Sequence, residues 1–437
     1  MAPAKALFPI ALLSLWLAAL ATGCTEGAQA TTAAPPPAPT STATATAAPP
    51  VVTPTPGSSL QGKVSIWVSW SPGAVGGLTD LINLFQTEHP AVEFSLSYIP
   101  AGELELAIRE AAAAGELPSI FLAPSPWGPA LSAQGAILDL GPFVTAEIQR
   151  SLHPLAWSQV AFQNEVLGLP VRMHGNVLYR NRSLAQIPAA SLPDLLETAR
   201  RLRGTTSVGA ALDFGYLYTV PQSEACGGGL LSPGSQPAVE GALGLCWLTV
   251  LRDLSRAGPV VFNTEEDLQL FLAGGAAWFV GSTELYPALV RSLSEANLAV
   301  DSWPAYPGTG GRMAGYVWTE NAYLSAALQG ADLQAAWTFA LRMISPEAQL
   351  SWSQALHGGH LPTFARTEPT EATVAALHAA VRSGTALPLW MLDPIHIEIL
   401  ERAARAVSLQ GADPETAQRR AVEELHVLSE AGGQPGG

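Results

Sequence analysis

The residues best able to do chemistry in this sequence do not form a known catalytic motif. There is no Gly-x-Ser-x-Gly, no His-Glu-x-x-His and no P-loop of the form Gly-x-x-x-x-Gly-Lys-Ser/Thr. His396 and Glu398 have the His-x-Glu spacing of a deaminase, but no Cys-x-x-Cys accompanies them. His357 and His360 could approach one metal ion, although a His-Gly-Gly-His segment is more often an ordinary loop. We therefore predict no enzyme, no metal site and no cofactor.

The N-terminus has the pattern of an export signal. Lys5 precedes an apolar segment from Ala6 to Ala21, which is short for a membrane-spanning helix, and small residues then lead to Cys24. The Ala-Thr-Gly-Cys order resembles the lipobox of bacterial lipoproteins, in which the cysteine is acylated and becomes the new N-terminus. We predict a signal peptide over residues 1–23 and lipidation of Cys24. The protein would then be exported and anchored to the outer face of the cell membrane, extracellular or periplasmic. An ordinary cleaved signal with an incidental cysteine is the alternative.

Residues 24–60 form a low-complexity segment after this signal. Most of its residues are Ala, Thr, Pro, Ser and Gly, and Glu26 is its single charged residue. Such a segment cannot bury enough apolar surface to fold, and its prolines favour an extended chain. We predict a tether that holds a folded domain away from the membrane.

The rest of the chain has the composition of a globular protein. It is longer than one hydrophobic core usually serves, which predicts two lobes. The net charge of the whole chain is -15. Because nucleic-acid binding requires a basic face for the phosphates, this acidic balance argues against a nucleic-acid partner, and we predict none.

Two cysteines, Cys226 and Cys246, remain once Cys24 is assigned to the lipid. In an oxidising compartment the simplest expectation is one disulfide between them. Two buried thiols are the alternative.

Strand-like and helical patterns alternate through the folded part. Residues 64–70 alternate as a strand, residues 78–85 repeat at helical spacing, and residues 92–98 alternate again. An alanine-rich helix over 103–115 and a short buried strand over 119–122 complete a β-α-β-α-β order. Further elements are predicted as helices over 192–202, 238–255 and 333–344 and a buried strand over 276–280. This order is typical of an α/β fold with a mainly parallel sheet, in which ligands bind at the carboxyl ends of strands.

Several short segments, in this order and spacing, carry a family resemblance. They are Leu81 to Pro90 (LINLFQTEHP), Ile137 to Val144 (ILDLGPFV), Gly168-Leu169-Pro170 with Leu178 to Asn181, Phe271 to Trp278 (FLAGGAAW), Trp337 to Trp352, Leu361-Pro362, and Gly411 to Leu425. The chain resembles the extracellular solute-binding proteins of ABC importers, in the maltose/multi-sugar class, over nearly all of residues 62–429.

This resemblance implies a periplasmic-binding-protein-like α/β fold. Two α/β lobes would be joined by a hinge of three crossings and would close on a ligand in the cleft between them. The crossings would fall near residues 172–174, 303–306 and 345. Lobe one would comprise residues 62–171 and 306–344, and lobe two would comprise residues 172–305 and 345–430.

The resemblance also implies the function. A monomer would capture a sugar or oligosaccharide and deliver it to ABC permease subunits in the membrane, without catalysing a reaction. Aromatic rings suit the C–H faces of a sugar, and polar side chains suit its hydroxyls. The residues that the resemblance indicates for ligand binding are Trp70, Trp127, His174, Tyr218, Glu284, Tyr316 and Trp318. Core packing is the alternative for each aromatic residue.

Two other functions remain open. The first is binding of a non-sugar solute, such as a polyol, glycerol phosphate or another small metabolite. A phosphate would require a basic cleft, for which Arg172 is the only obvious candidate. The second is a surface glycoside hydrolase, because a catalytic pair of carboxylates is a spatial feature that the sequence does not reveal.

Overall fold

The computed structural model describes residues 60–231, 237–355, 360–389 and 394–432. The predicted signal peptide, Cys24 and the tether apart from Leu60 lie outside these ranges, and His357 does too. The predictions made for those residues stay predictions.

The first five elements confirm the predicted β-α-β-α-β order. They are β1 (Gln61–Val68), α1 (Pro72–Glu88), β2 (Ala91–Tyr98), α2 (Ala101–Ala114) and β3 (Ile120–Pro124). Helix α1 buries Leu78, Leu81, Ile82 and Phe85, which recur at the spacing of one helical face. Helix α2 ends at Gly115, whose φ of 72° lies in the left-handed region that glycine adopts without steric cost.

The later elements include all those predicted from the sequence. Helices α6 (Leu192–Leu202), α8 (Gly241–Leu254) and α11 (Gly330–Met343) and strand β9 (Ala276–Ser282) confirm the predictions over 192–202, 238–255, 333–344 and 276–280. None of the helices in the described ranges has the length and apolar character that crossing a membrane requires. The later elements are α3 (Gly128–Ala133), α4 (Ala146–Ser151), α5 (Pro154–Ser158), β4 (Ala161–Phe162), β5 (Glu165–Val166), β6 (Leu169–Asn181), α6 (Leu192–Leu202), β7 (Val208–Asp213), α7 (Tyr216–Thr219), α8 (Gly241–Leu254), β8 (Val260–Val261), α9 (Glu266–Leu272), β9 (Ala276–Ser282), α10 (Tyr286–Leu293), β10 (Leu298–Asp301), β11 (Tyr316–Leu324), α11 (Gly330–Met343), α12 (Pro346–Ala355), α13 (Ala372–Arg382), β12 (Thr385–Ala386), α14 (Pro394–Ser408) and α15 (Pro414–Gly432).

The main sheet is mixed rather than mainly parallel. Its strand order is β2-β1-β3-β11-β6-β9-β7-β8, with β10 pairing to β6 and β12 to β11. The outer strands pair in parallel, but β11 is antiparallel to both β3 and β6, and β6 is antiparallel to β9. The α/β class is confirmed, and the prediction of a mainly parallel sheet is wrong at its centre. Periodicity reports which residues are buried, whereas strand direction depends on neighbours distant in the chain.

Strand β6 runs through both halves of this sheet. Its residues 169–175 pair with β11, and its residues 176–180 pair with β9. The register against β11 shifts between Glu320 and Asn321, opposite Arg172 and Pro170, which marks a β-bulge. We call β2, β1, β3 and β11 the first half of the sheet, and β9, β7, β8 and β10 the second half.

Each half of the sheet has its own apolar cluster. The first half buries Phe85 and Phe339 with the helices α1 and α11, and the second half buries Trp247 and Leu251 of α8. Burying a side chain of this size contributes roughly 1.5–3 kcal/mol. The largest clusters of the two halves are distinct, which agrees with two lobes, and Trp247 is a buried core residue.

Contacts near the second and third predicted crossings occur later in the chain than the predicted boundaries. Thr309, which follows the predicted crossing at 303–306, still donates from its hydroxyl to the Ala225 carbonyl beside the second half. Helix α12 follows Ser345, yet its Trp352 donates from Nε1 to the Gly77 carbonyl of α1 at 3.1 Å. The lobe boundaries remain a prediction, and these contacts favour crossings just before β11 and after α12.

The predicted disulfide between Cys226 and Cys246 is present. It joins a 3₁₀ turn (Val220–Cys226) to the interior of α8, and the sequence separation of the two cysteines is 20. The alternative of two buried thiols is thereby excluded.

Candidate ligand-binding site

The residues predicted to bind ligand lie where the two halves of the sheet meet. The carboxyl ends of β3 and β9 lie level with residues 172–176 of β6. Pro124, which ends β3, pairs with Glu320 of β11, and Glu320 pairs in turn with Arg172 of β6. Ser282, which ends β9, pairs directly with Asn176 of β6. Strand ends of this kind are the usual ligand-binding edge of an α/β sheet. The predicted residues are placed as follows: Trp70 after β1, Trp127 in a 3₁₀ turn after β3, Tyr218 in α7 after β7, Glu284 in a 3₁₀ turn after β9, His174 in β6, and Tyr316 and Trp318 in β11.

Arg172 of β6 lies at the centre of this site. Its Nε donates a hydrogen bond to Oε2 of Glu320, and its Nη2 is 3.9 Å from Oε1 of Glu284. Glu320 is 5% exposed, whereas the Glu284 side chain is 34% exposed. Two carboxylates around one guanidinium leave the cluster without spare positive charge. Glu320 was not among the residues predicted to bind ligand, although a carboxylate between the aromatic residues of strand β11 was a detectable signal.

His174 and Trp318 form the aromatic part of the centre. They are directly opposite in the β6–β11 ladder, and their rings stack with centroids 5.9 Å apart at 27°. Nε2 of His174 is 3.9 Å from Oε1 of Glu284. Burial, and then the nearby Arg172, hold the pKa of His174 well below its ordinary value of 6.5. The imidazole is therefore neutral and presents one donor and one acceptor.

Trp70 belongs to the buried edge of the first half. It is 1% exposed, and its ring makes edge contacts with Trp352 and His360. The guanidinium carbon of Arg172 lies over the ring, 5.0 Å from its centroid, which is the geometry of a cation–π contact. As a ligand contact Trp70 stays a prediction, because in this conformation Arg172 covers its face.

Tyr316 is paired with Tyr216, the residue that opens α7. Their ring centroids are 6.3 Å apart at an angle of 47°. Burial raises the pKa of Tyr216 to about 12 and raises that of Tyr316 well above its usual value. Both phenols are therefore neutral, and the contact of their rings joins the second half to β11 across the junction.

Tyr218 and Trp127 are partly buried at the edges of the site. Tyr218 packs against the apolar cluster of the second half, and burial, then nearby Asp213 and Asp267, raise its pKa. Trp127 packs against a smaller cluster of the first half that includes Phe121 and Tyr323. The structure thus gathers Trp70, His174, Glu284 and Trp318 around Arg172, with the other three aromatic residues farther out.

Residues 216–226, which include Tyr216 and Tyr218, are held in place by hydrogen bonds from three other parts of the chain. Glu401 of α14 accepts from the Tyr216 backbone N–H at 2.9 Å, and Nε1 of Trp247 donates to the carbonyl of Thr219 at 2.8 Å. Nε2 of Gln222 donates to the Ala314 carbonyl at 2.9 Å, just before β11. With the disulfide at its end, this segment is held rigidly beside the junction.

This arrangement suits recognition of a neutral polar solute. It offers aromatic faces, a neutral imidazole, carboxylate acceptors and a guanidinium donor within one region. Such a mixture of apolar walls and few oriented polar groups is typical of small-molecule sites. Among the described residues, no group of three or more His, Cys, Asp or Glu is arranged to hold a metal ion.

Comparison with known proteins agrees with this architecture. The model of the bacterial extracellular solute-binding protein family matches residues 80–380. The maltotriose-binding protein of Pyrococcus abyssi is 21% identical over 140 residues, which is 32% of this chain and 30% of that protein. The match thus spans less than a third of the length of this curated relative.

Solved structures share the fold at low sequence identity. The GacH receptor of Streptomyces glaucescens, solved unliganded and with acarbose, is 18% identical, covering 84% of this chain and 98% of its own, with a TM-score of 0.65. The cyclic α-maltosyl-1,6-maltose-binding protein of Arthrobacter globiformis is 17% identical, covering 84% and 99%, with a TM-score of 0.70. A cyclo/maltodextrin-binding protein in complex with maltotetraose is 14% identical, covering 84% and 97%, with a TM-score of 0.72. These similarities confirm the two-lobe, periplasmic-binding-protein-like α/β fold, and the family match shows that the chain belongs to the bacterial extracellular solute-binding proteins.

Proposed function

We propose that this protein is the substrate-binding component of an ABC importer, which captures a sugar or oligosaccharide between its lobes and delivers it to membrane permease subunits. The observation that carries the proposal is the centre at the lobe junction, where neutral His174 stacks on Trp318 beside Arg172 and two carboxylates. Neutral hydrogen-bonding groups next to aromatic faces suit a ligand with many hydroxyls. Similar proteins whose names specify maltotriose or maltodextrin support the same ligand class.

The charge around Arg172 favours a neutral solute over a phosphorylated one. A phosphate needs an arginine whose donors are available to it. Here the guanidinium already donates to Glu320 and faces Glu284. An anionic solute would therefore meet two carboxylates beside a single guanidinium, and this balance of charge disfavours glycerol phosphate as the ligand.

The same contacts favour a binder over a glycoside hydrolase. Hydrolysis needs one carboxylic acid that donates a proton and a second carboxylate that acts on the sugar or on water. Glu320 instead accepts a hydrogen bond from Arg172, and Glu284 faces both that guanidinium and His174. Neither side chain is arranged as a proton donor to a glycosidic oxygen, so we propose no catalysis.

We propose that lobe one comprises residues 62–171 and 306–344, lobe two comprises residues 172–305 and 345–430, and the two close around the ligand. The contacts of Thr309 and Trp352 support a refinement in which both later crossings occur farther along the chain. Small-angle scattering with and without ligand tests closure, since a hinged pair of lobes becomes more compact when the ligand binds.

Export and anchoring complete the proposal. Residues 1–23 would be removed, Cys24 would be acylated, and residues 24–60 would tether a monomeric binding domain at the outer face of the membrane. A Cys24→Ser substitution should release the protein from the membrane fraction into the medium or periplasm. Retention of this variant in the membrane fraction would contradict the lipid anchor.

Thermal unfolding against a panel of solutes tests the ligand class. The panel contains mono- and oligosaccharides, polyols and phosphorylated polyols. A ligand at 100 times its dissociation constant adds about 2.7 kcal/mol to the free energy of unfolding, which gives a readily measured rise in the melting temperature. A rise with one sugar series, and recovery of that sugar unchanged, is the expected result. A flat response to all saccharides would contradict the sugar assignment but not the fold.

A pair of tryptophan variants locates the site in the same assay. Trp318→Leu should abolish the rise that the ligand causes, because it removes the ring beside His174. Trp337→Leu is the matched control, since Trp337 lies on α11 and contacts Phe143 instead. Equal ligand responses in the two variants would contradict this placement of the site.

A further inference from the structure

Beneath Arg172 lies a buried aromatic box formed by Trp70, Trp352 and His360. Its three ring pairs meet edge to face, with centroids 5.6 Å apart for Trp70 and Trp352, 6.0 Å for Trp70 and His360, and 4.9 Å for Trp352 and His360. All three side chains are at most 3% exposed. The box lies on the first-half side of the junction, next to the proposed ligand site.

Three polar atoms of this box make no hydrogen bond with the described part of the chain. They are Nε1 of Trp70 and both ring nitrogens of His360. Nε1 of Trp352, by contrast, donates to a backbone carbonyl of α1. The Val171 carbonyl lies near the His360 ring, but it accepts from Nε2 of Gln349 at 2.8 Å, and its contact with the ring lacks hydrogen-bond geometry.

Burial without a partner makes these atoms costly. Each polar atom left unsatisfied in a protein interior destabilises the fold by about 1–3 kcal/mol. Proteins rarely carry three such atoms together without a functional reason. A polar group that enters the box and bonds to these atoms therefore stabilises the protein.

The donors and acceptors of the box define that group. The Trp70 indole needs an acceptor, and the neutral His360 imidazole needs one acceptor and one donor. Burial, and then the charge of Arg172, hold the pKa of His360 well below 6.5, so the ring stays neutral. Hydroxyl groups both donate and accept, whereas a carboxylate or a fully ionised phosphate only accepts. Adjacent hydroxyls on an apolar carbon frame match both the polar atoms and the aromatic walls.

We propose that His360 and Trp70 form a hydroxyl-binding subsite of the ligand cleft, covered by Arg172 in this conformation. The Arg172 side chain is 13% exposed and lies over the Trp70 ring, so its movement away from that ring uncovers the box. This inference rests on the proposed function and extends it to His360, which sequence analysis interpreted as part of an ordinary loop.

Calorimetric titration of the full-length chain with maltotriose tests the subsite. The substitution His360→Phe keeps a ring in the box and loses no hydrogen bond to the described residues. We expect the dissociation constant to increase at least tenfold while the melting temperature of the free protein stays unchanged or rises. Trp70→Phe is a second variant, which removes only the indole N–H donor and part of the ring, and it should also weaken binding.

His378→Phe provides the matched control. His378 is 2% exposed, like His360, but its Nε2 lies 3.1 Å from the Pro362 carbonyl in a hydrogen bond. This control should lower the melting temperature and leave the dissociation constant unchanged, which is the reverse of the His360→Phe result.

Two outcomes would overturn the subsite. If His360→Phe lowers the melting temperature and leaves maltotriose affinity intact, His360 has a structural role only. If the unmodified protein binds no saccharide or polyol, the proposed function is wrong. The proposal that hydroxyl groups bind in the box is then wrong as well. Titration of the unmodified protein with maltotriose, together with its response to the solute panel, distinguishes these two cases.

Discussion

The disulfide between Cys226 and Cys246 offers a prediction whose size follows from the structure. Replacing both cysteines by alanine opens a loop closed at a sequence separation of 20. The chain-entropy relation gives about 3 kcal/mol for a loop of this length. For a folded chain of this size, that loss lowers the melting temperature by about 4 °C.

The same variant should also weaken ligand binding. The disulfide ends the segment that begins at Tyr216, which lies against Tyr316 across the lobe junction. Hydrogen bonds from Trp247 and Gln222 still hold this segment after the disulfide is removed. We therefore expect a loss of affinity of several-fold, smaller than the tenfold effect expected from a change within the site.

Thermal unfolding and titration with and without a reducing agent measure both effects. Reduced unmodified protein should behave like the double alanine variant, and the reducing agent should not change that variant further. A variant with the same melting temperature as the oxidised protein would refute the entropic argument. A variant that is destabilised but binds ligand with unchanged affinity would refute the positioning role of the disulfide.

Two other predictions concern buried charge and pH. Asp301→Asn should lower the free energy of unfolding in urea by about 3–5 kcal/mol, because Arg180 then keeps a buried charge without its carboxylate partner. The control Glu398→Gln alters an exposed ion pair and should lower it by less than about 1 kcal/mol. Equal losses in the two variants would contradict the argument. Burial lowers the pKa of His378 to about 4, so between about pH 4 and pH 6.5 the unfolded chain binds a proton that the folded chain does not. The free energy of unfolding should therefore fall on acidification from pH 7 to pH 5.5, by at most about 1.4 kcal/mol per pH unit for this group. His378→Gln should make this pH dependence less steep. An unchanged slope in the variant would contradict the assignment to His378.

Local features of the fold were predictable from the sequence. Three of these features depend on residues within a few positions of each other. They are the apolar face of α1, the short buried strand β9 and the ends of α6. Helix α6 begins with a capping box between Ser191 and Asp194, which is a signal of adjacent residues. The pairing of Cys226 with Cys246 was predictable too, because the third cysteine was assigned elsewhere.

The direction of the central strands was not predictable in this way. A buried strand has the same apolar pattern whether its neighbour is parallel or antiparallel. Strands β6 and β11 are separated by more than a hundred residues, and their pairing depends on how the two halves of the sheet assemble. The sequence pattern therefore gave the α/β class correctly but not the mixed centre of the sheet.

In the candidate site, too, some features were predictable from the sequence and others depended on the tertiary structure. By itself the sequence determined a family resemblance, an order of elements and a set of aromatic residues at strand ends, because these depend on residue type and local spacing. Only the tertiary structure decided that Glu320 pairs with Arg172 across a separation of 148, that Arg172 covers Trp70, and that His360 enters the same buried box. Contacts between distant segments form because burial leaves a charged or polar group few partners, and the packed fold determines which partners lie within reach.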